Sequence, residues 1–117
     1  MALPLTPNHL VAAFEFLRAL PPMSAWKLPH SDAIVFTVNK DPVCLGTYQH
    51  GPGDRHEITC SMHNVGHTDT LLRAIAHEML HLHQLLRKTE GRSQHNADFR
   101  RLGARVCKYH GWDAKLF

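Results

Sequence analysis

His77, Glu78 and His81 stand in the order His-Glu-Met-Leu-His. On a helix the two histidines lie one turn apart on the same face, so both imidazoles can reach one tetrahedral metal at roughly 2.0–2.1 Å, with the glutamate beside them. Two neutral nitrogens and a carboxylate able to take a proton from water are the parts that metal-assisted peptide hydrolysis needs, and H-E-x-x-H is the pattern of zinc-dependent peptidases. The chain holds 11 histidines in 117 residues, which makes accidental pairs more common, so the surrounding pattern has to support the assignment. Leu72, Ile75, Met79, Leu82 and Leu86 recur at steps of three and four as one apolar stripe, whereas His77, His81, Gln84 and Lys88 fall on roughly the opposite face. Such a helix can be rooted in a core and still show its ligands to a cleft.

A catalytic zinc takes three protein ligands and keeps one position open. His83 points about 200° away from His81 around a regular helix and is excluded from the same metal. Glu90 is chemically acceptable but sits in the turn after the helix. His95, at the start of the next helical stretch, is far better placed to come back across the cleft. The expected centre is therefore one Zn2+ on His77, His81 and His95, with Glu78 as the catalytic general base. The metzincin pattern would need glycine and histidine where this chain has Gln84 and Arg87. Tyr48, His63, Tyr109 and His110 are candidates for a hydrogen bond to the developing oxyanion, and the sequence does not choose among them.

These side chains need elements to position them. Thr6-Pro7 reads as an N-cap and first helical residue, with Leu10, Phe14 and Leu17, joined by Val11 and Ala13, as the apolar face of a helix that Pro21-Pro22 ends. Trp26 follows in a loop as a core or rim residue. Ala33 to Val38 reads as a strand with Ile34, Phe36 and Val38 on one face; Val43 to Tyr48 and His56 to Met62 read as two more. Short turns at Asn39–Pro42 and Gly51–Asp54 suggest an antiparallel three-stranded sheet. Thr68 or Asp69 should cap the metal-binding helix, which fades near Lys88 and stops by Gly91. A last helix opens near His95, buries Phe99, Leu102, Val106 and Tyr109, and stops at Gly111. Because the third strand runs directly into the metal-binding helix, Glu57 to Met62 is the expected edge along which an extended polypeptide substrate would lie.

Length predicts a single domain over residues 1–117. Thirteen Lys plus Arg against ten Asp plus Glu leave a formal +3, a basic balance too small to mark nucleic-acid binding by itself. Cys44, Cys60 and Cys107 contain no C-x-x-C and suggest neither a disulfide framework nor a zinc ribbon. With no signal-peptide pattern at the N-terminus and no long apolar run, the expectation is a cytoplasmic protein without a membrane span.

His77-Glu78-Met79-Leu80-His81 followed by His95-Asn96-Ala97-Asp98-Phe99 resembles the SprT-like (Spartan-type) zinc metalloproteases, whose pattern is H-E-x-x-H, a variable loop, then H-G-x-x-F. Asn96 stands where that family has glycine. Leu45-Gly46, the strand Glu57 to Met62 and the run Thr70 to Ala76 extend the similarity, which covers most of residues 30–112. The resemblance implies a small zincin-like α+β fold with an N-terminal helix, a three-stranded sheet, a zinc helix and a C-terminal helix. It also implies zinc on His77, His81 and His95 with Glu78 catalytic, and the compact size suggests a minimal member. The expected activity is zinc-dependent endopeptidase action on polypeptides, including proteins associated with DNA. Two other readings stay open: a zinc-containing nucleic-acid or protein-binding module without proteolysis, and a helical protein whose His77 and His81 are surface groups. Arg87, Lys88 and Arg92 after the zinc helix, with Arg100, Arg101, Arg105 and Lys108 on the last helix, suggest weak, salt-sensitive DNA binding near one rim of the cleft.

Overall fold

The computed structural model describes residues 4–89, 91 and 94–117. Thr6 precedes the first helix, α1 (Pro7–Arg18), as expected, and its main-chain N–H donates to His9 Nδ1 at 3.1 Å. Leu10, Ala13, Phe14 and Leu17 form the buried face of α1. Three strands follow: β1 (Ile34–Asn39), β2 (Gly46–His50) and β3 (His56–Ser61). Two further helices, α2 (Thr68–Arg87) and α3 (Ala97–His110), complete a small α+β fold with short 3-10 turns between and after them. No helix among the described residues is long and apolar enough to cross a membrane.

The sheet is mixed rather than antiparallel. Its order is β1-β3-β2, with β3 parallel to β1 and antiparallel to β2. The segment after β1 does not make a tight hairpin; it carries the chain across the end of the sheet and leaves a slot that β3 fills. Ser61 and its neighbours stitch that crossing down. Ser61 N–H donates to the Leu45 carbonyl at 2.9 Å, Met62 N–H to the Asn39 carbonyl at 2.8 Å, and Ser61 Oγ to the Asp41 carbonyl at 2.6 Å. These bonds satisfy main-chain groups of the crossing loop that would otherwise be left unpaired where strands end. Being central, β3 has no free edge, so the docking of an extended chain on Glu57 to Met62 is ruled out; the sheet's outer edges are those of β1 and β2, and β2 is the one that lines the cleft.

One face of the sheet carries the expected alternation. Ile34 is buried, Phe36 and Val38 pack against the core, and the Phe36 ring meets Phe14 of α1 edge-on at 5.5 Å. Ile58 and Cys60 of β3 are fully buried, while Met62, expected on the same face, lies past the strand and is 45% exposed. Helix α2 lies at the centre of the molecule between sheet, α1 and α3, and it is buried on more sides than one stripe allows. Ile75, Met79 and Leu82 are buried as expected, but so are Ala76, Leu80, His83 and Gln84, and Leu86 is exposed. Each large apolar side chain removed from water here contributes about 1.5–3 kcal/mol. The cap also differs: His67 is the N-cap residue, with Thr68 and Asp69 in the first turn.

At the other end α2 stops at Lys88, which takes a left-handed conformation at φ 58°. Asn96 caps α3, accepting a hydrogen bond from the Phe99 N–H at 2.9 Å, and Gly111 ends it at φ 77°, where a side chain would be strained. Phe99, Leu102 and Val106 are buried as the spacing predicts, whereas Tyr109 is half exposed.

Gly46 of β2 leaves no room for a side chain against β3. A Cβ built there lies 2.7 Å from the Thr59 carbonyl oxygen and 3.6 Å from Glu78 Oε2. Because the first of these atoms is main chain, it can yield only if β2 moves off β3. Gly46→Ala is therefore expected to destabilise the metal-free protein by about 1–3 kcal/mol, the usual cost of overpacking. Urea unfolding should show a lower midpoint with an unchanged m value; an unaltered midpoint would mean that the two strands are not packed this closely.

Candidate metal centre

The spacing of α2 places His77 and His81 one turn apart on the face that looks away from α1, and the turn into α3 brings His95 over them. One ring nitrogen from each of His77, His81 and His95 lies within 4.8 Å of the other two, a set that could hold a metal ion. His77 Nε2 is 3.1 Å from His95 Nε2 and 3.3 Å from His81 Nε2. A tetrahedral site with bonds of roughly 2.0–2.1 Å has an edge of about 3.3 Å, which the two contacts of His77 match, while the third pair is within 4.8 Å. The single lone pair on His77 Nε2 can take one good hydrogen bond, so hydrogen bonding accounts for one of its two short contacts and not for both. His77 Nδ1 lies 3.1 Å from the Phe117 main-chain oxygen, to which it can only donate, and this leaves a bare lone pair on Nε2 facing two more imidazoles. The same bond fixes the tautomer and ring orientation that ligation requires.

Phe99 backs the cluster. Its ring lies 4.6 Å from the His81 ring, 4.8 Å from that of His95 and 4.9 Å from that of His77, so one aromatic side chain on α3 packs against all three. Among the described residues no other group of three His, Cys, Asp or Glu side chains has metal-binding geometry. Glu90, the less favoured third donor, lies outside the described residues, as does Arg92. His83 is buried on another side of α2 and stacks on Trp26 at 4.3 Å, which removes both residues from the centre.

Glu78 is 5% exposed and its carboxylate lies beside Gly46. The cleft in front of it, about 660 Å³, is lined by His77, Glu78, His81 and His95 on one side and by Gly46 and Tyr48 of β2 on the other. A smaller cavity of about 240 Å³ opens on the other side of Glu78 between Leu45, Ala74, Leu116 and Phe117. Of the four oxyanion candidates only Tyr48 lines the main cleft. Its hydroxyl lies 2.7 Å from Nδ1 of the buried His56. His63 is exposed outside it, Tyr109 is on the far face of α3, and His110 stacks on Trp112 at 4.7 Å.

Sequence reasoning missed Phe117 and the burial of Gln84. Phe117 follows a short 3-10 turn, and contact with His77 forty residues earlier leaves no local pattern. Helical spacing puts Gln84 on the polar face, and the structure buries it because Asn96 and Asp98 accept from its amide. The basic groups expected at the rim are exposed where described: Arg87, Lys88, Arg100, Arg101, Arg105 and Lys108. Arg100 and Arg101 are partly spent, the first donating to the His95 carbonyl at 2.8 Å and the second pairing with Asp98.

Burial dominates the electrostatics. His77 and His81 are pulled from the ordinary 6.5 down to about 4, first by desolvation and then by the neighbouring imidazoles. Both are therefore neutral and able to ligate at pH 7. Burial pushes the Glu78 carboxyl from 4.5 up to about 8. Between pH 4.5 and 6.5 the unfolded chain binds protons on both histidines that the folded chain refuses, and the folded chain holds one on Glu78 that the unfolded chain lacks. The balance favours the unfolded state as pH falls. His56, His83 and His110, also lowered by burial, add to it. Above 6.5 only Glu78 remains, with the opposite sign, and stability declines toward pH 8. The metal-free protein is thus expected to be most stable near pH 6.5, read as the highest thermal midpoint in a chelator-containing series from acid to mildly alkaline pH. A midpoint that climbs steadily past pH 8 would show that Glu78 does not hold its proton in the folded state.

Neither the protein-family models nor the curated protein sequences match this chain, so the site is read from its own geometry.

Proposed function

We propose that this chain is a zinc-dependent endopeptidase of SprT-like type, with His77, His81 and His95 as ligands and Glu78 as the catalytic base. The observation that carries the reading is the convergence of three imidazole nitrogens next to a buried carboxylate on the same helix, at the wall of a cleft open to a polypeptide. Three nitrogen donors suit zinc and other imidazole-binding metals and disfavour magnesium or calcium, which take oxygen ligands.

Zinc in such a site polarises a carbonyl and lowers the pKa of water toward about 7. The rest of the chemistry falls to the chain. Glu78 accepts the water proton and delivers it to the leaving amine. Its burial raises its basicity, and a cation beside it restores the ionised form that a base needs, so desolvation and charge act in opposition on one group. The free edge of β2 borders the cleft and offers main-chain donors and acceptors to an extended substrate, which would add to the sheet as a further strand. Tyr48 of that strand lines the cleft; its one O–H can serve the oxyanion only where His56 Nδ1 is the donor in the 2.7 Å bond between them. For DNA-associated substrates the support is limited to the exposed basic groups after α2 and on α3, whose attraction to a polyanion would be weak and salt-sensitive.

The test is Glu78→Gln, which removes the proton acceptor at constant shape. We expect this variant to bind one zinc per chain as the parent does and to hydrolyse an unfolded protein substrate at least ~10²-fold more slowly, the low end for a positioned general base. Full activity in the variant would remove Glu78 from the mechanism, and loss of the metal with the activity would make it a ligand rather than a base.

A further inference from the structure

His95 is the weakly held member of the metal set. His77 and His81 are carried by the buried central helix, whereas His95 is exposed and lies on the turn before α3. Its position follows from the residue bonded to it, Asn96, and Asn96 is tied on several sides. Asn96 Oδ1 accepts from the Phe99 N–H at 2.9 Å and from Gln84 Nε2 at 3.1 Å, and Asn96 Nδ2 donates to the Thr89 carbonyl at 3.0 Å. Gln84 Nε2 also donates to Asp98 Oδ2 at 3.1 Å. Both amide protons of Gln84 are thus used, one on the cap residue of α3 and one on its first turn.

The orientation of this amide follows from its partners. Asp98 offers only acceptors, and Asn96 Oδ1 is fixed as an acceptor by capping Phe99, so the nitrogen of Gln84 must face them. Gln84 Oε1 is left buried with no hydrogen-bond partner among the described residues, while the side chain as a whole is fully buried. An isolated acceptor in the core is unfavourable, and an apolar side chain of equal length would avoid it. What Gln84 provides and such a side chain could not is the two-pronged donation to the start of α3.

We propose that Gln84 is a positioning residue for the third metal ligand. Through Asn96 and Asp98 it fixes the turn that holds His95 over His77 and His81, so α2 sets two ligands directly and the third by way of a buried amide. This rests on the metal-site reading given above.

Two variants test it. Gln84→Met keeps length and removes both donors; Asn96→Ser keeps a residue able to cap α3 but cannot reach Gln84 and Thr89 together. Zinc affinity is measured by competition with chelators of graded affinity, well below each variant's thermal transition, in the parent and in His95→Ala. Both variants should bind zinc about 10-fold or more weakly in the parent, as for other groups that orient a ligand, and should cause no further loss in His95→Ala. A lower thermal midpoint with unchanged affinity would make Gln84 merely structural. Equal losses in both backgrounds would show that it acts on something other than His95. If Gln84→Met does not fold, Asn96→Ser decides the question by the same criteria. Parent-like affinity in His95→Ala would instead overturn the ligand assignment itself, and the positioning role with it.

Discussion

Bringing three imidazole nitrogens to one point inside a protein of this size requires that their rings be held from behind. Left to themselves, three basic groups this close repel once two of them are protonated, and burial makes even a single charge on His77 or His81 costly. The fold answers by surrounding the cluster with groups that cannot protonate it: the Phe99 ring against all three, the Phe117 main-chain oxygen on the far nitrogen of His77, and α2 beneath. Preorganisation of this kind keeps the lone pairs free at neutral pH, the state in which a metal can use them.

That requirement explains why α2 is so deeply buried. A helix lying on the surface of the sheet would present His77 and His81 to water and leave Glu78 solvated. Packed between β2, α1 and α3, it places the Glu78 carboxylate beside Gly46, whose missing side chain lets β2 close against β3. Burial then raises the carboxyl's proton affinity, and the same burial costs stability above neutral pH. The site and the core are therefore not separate regions of the molecule: Met79 and Leu82 hold α2 in the core on one side while His77 and His81 face the cleft on the other.

The sequence made the local features legible and the long-range ones only in part. The period of Ile75, Met79 and Leu82, the cap at Thr6, the alternation of Ile34, Phe36 and Val38, and the stop at Gly111 all reflect interactions within a few residues, and each appears in the structure. The histidine pair and its partner His95 were readable because one-turn spacing and the start of a following helix are local too. Strand pairing was not. Short turns favour antiparallel neighbours, and nothing in Asn39 to Pro42 announces that the chain crosses the sheet end and that Ser61 will secure it. Gln84, Leu86 and Tyr109 depart from the exposure that helical spacing predicts, because spacing gives the face and not how far a neighbouring element reaches over it. A glutamine with two acceptors waiting on another helix can be buried, and a tyrosine at helical spacing can outlast the reach of its core.

The central claim, that one metal sits on three imidazoles, is addressed most directly by X-ray absorption at the zinc edge of protein loaded with one equivalent of zinc. The account predicts nitrogen or oxygen neighbours only, at roughly 2.0–2.1 Å, with the outer-shell scattering of three imidazole rings. A sulfur neighbour at about 2.3 Å, which would bring in a cysteine such as Cys44 at the cleft wall, or scattering from fewer than three imidazoles, would contradict it.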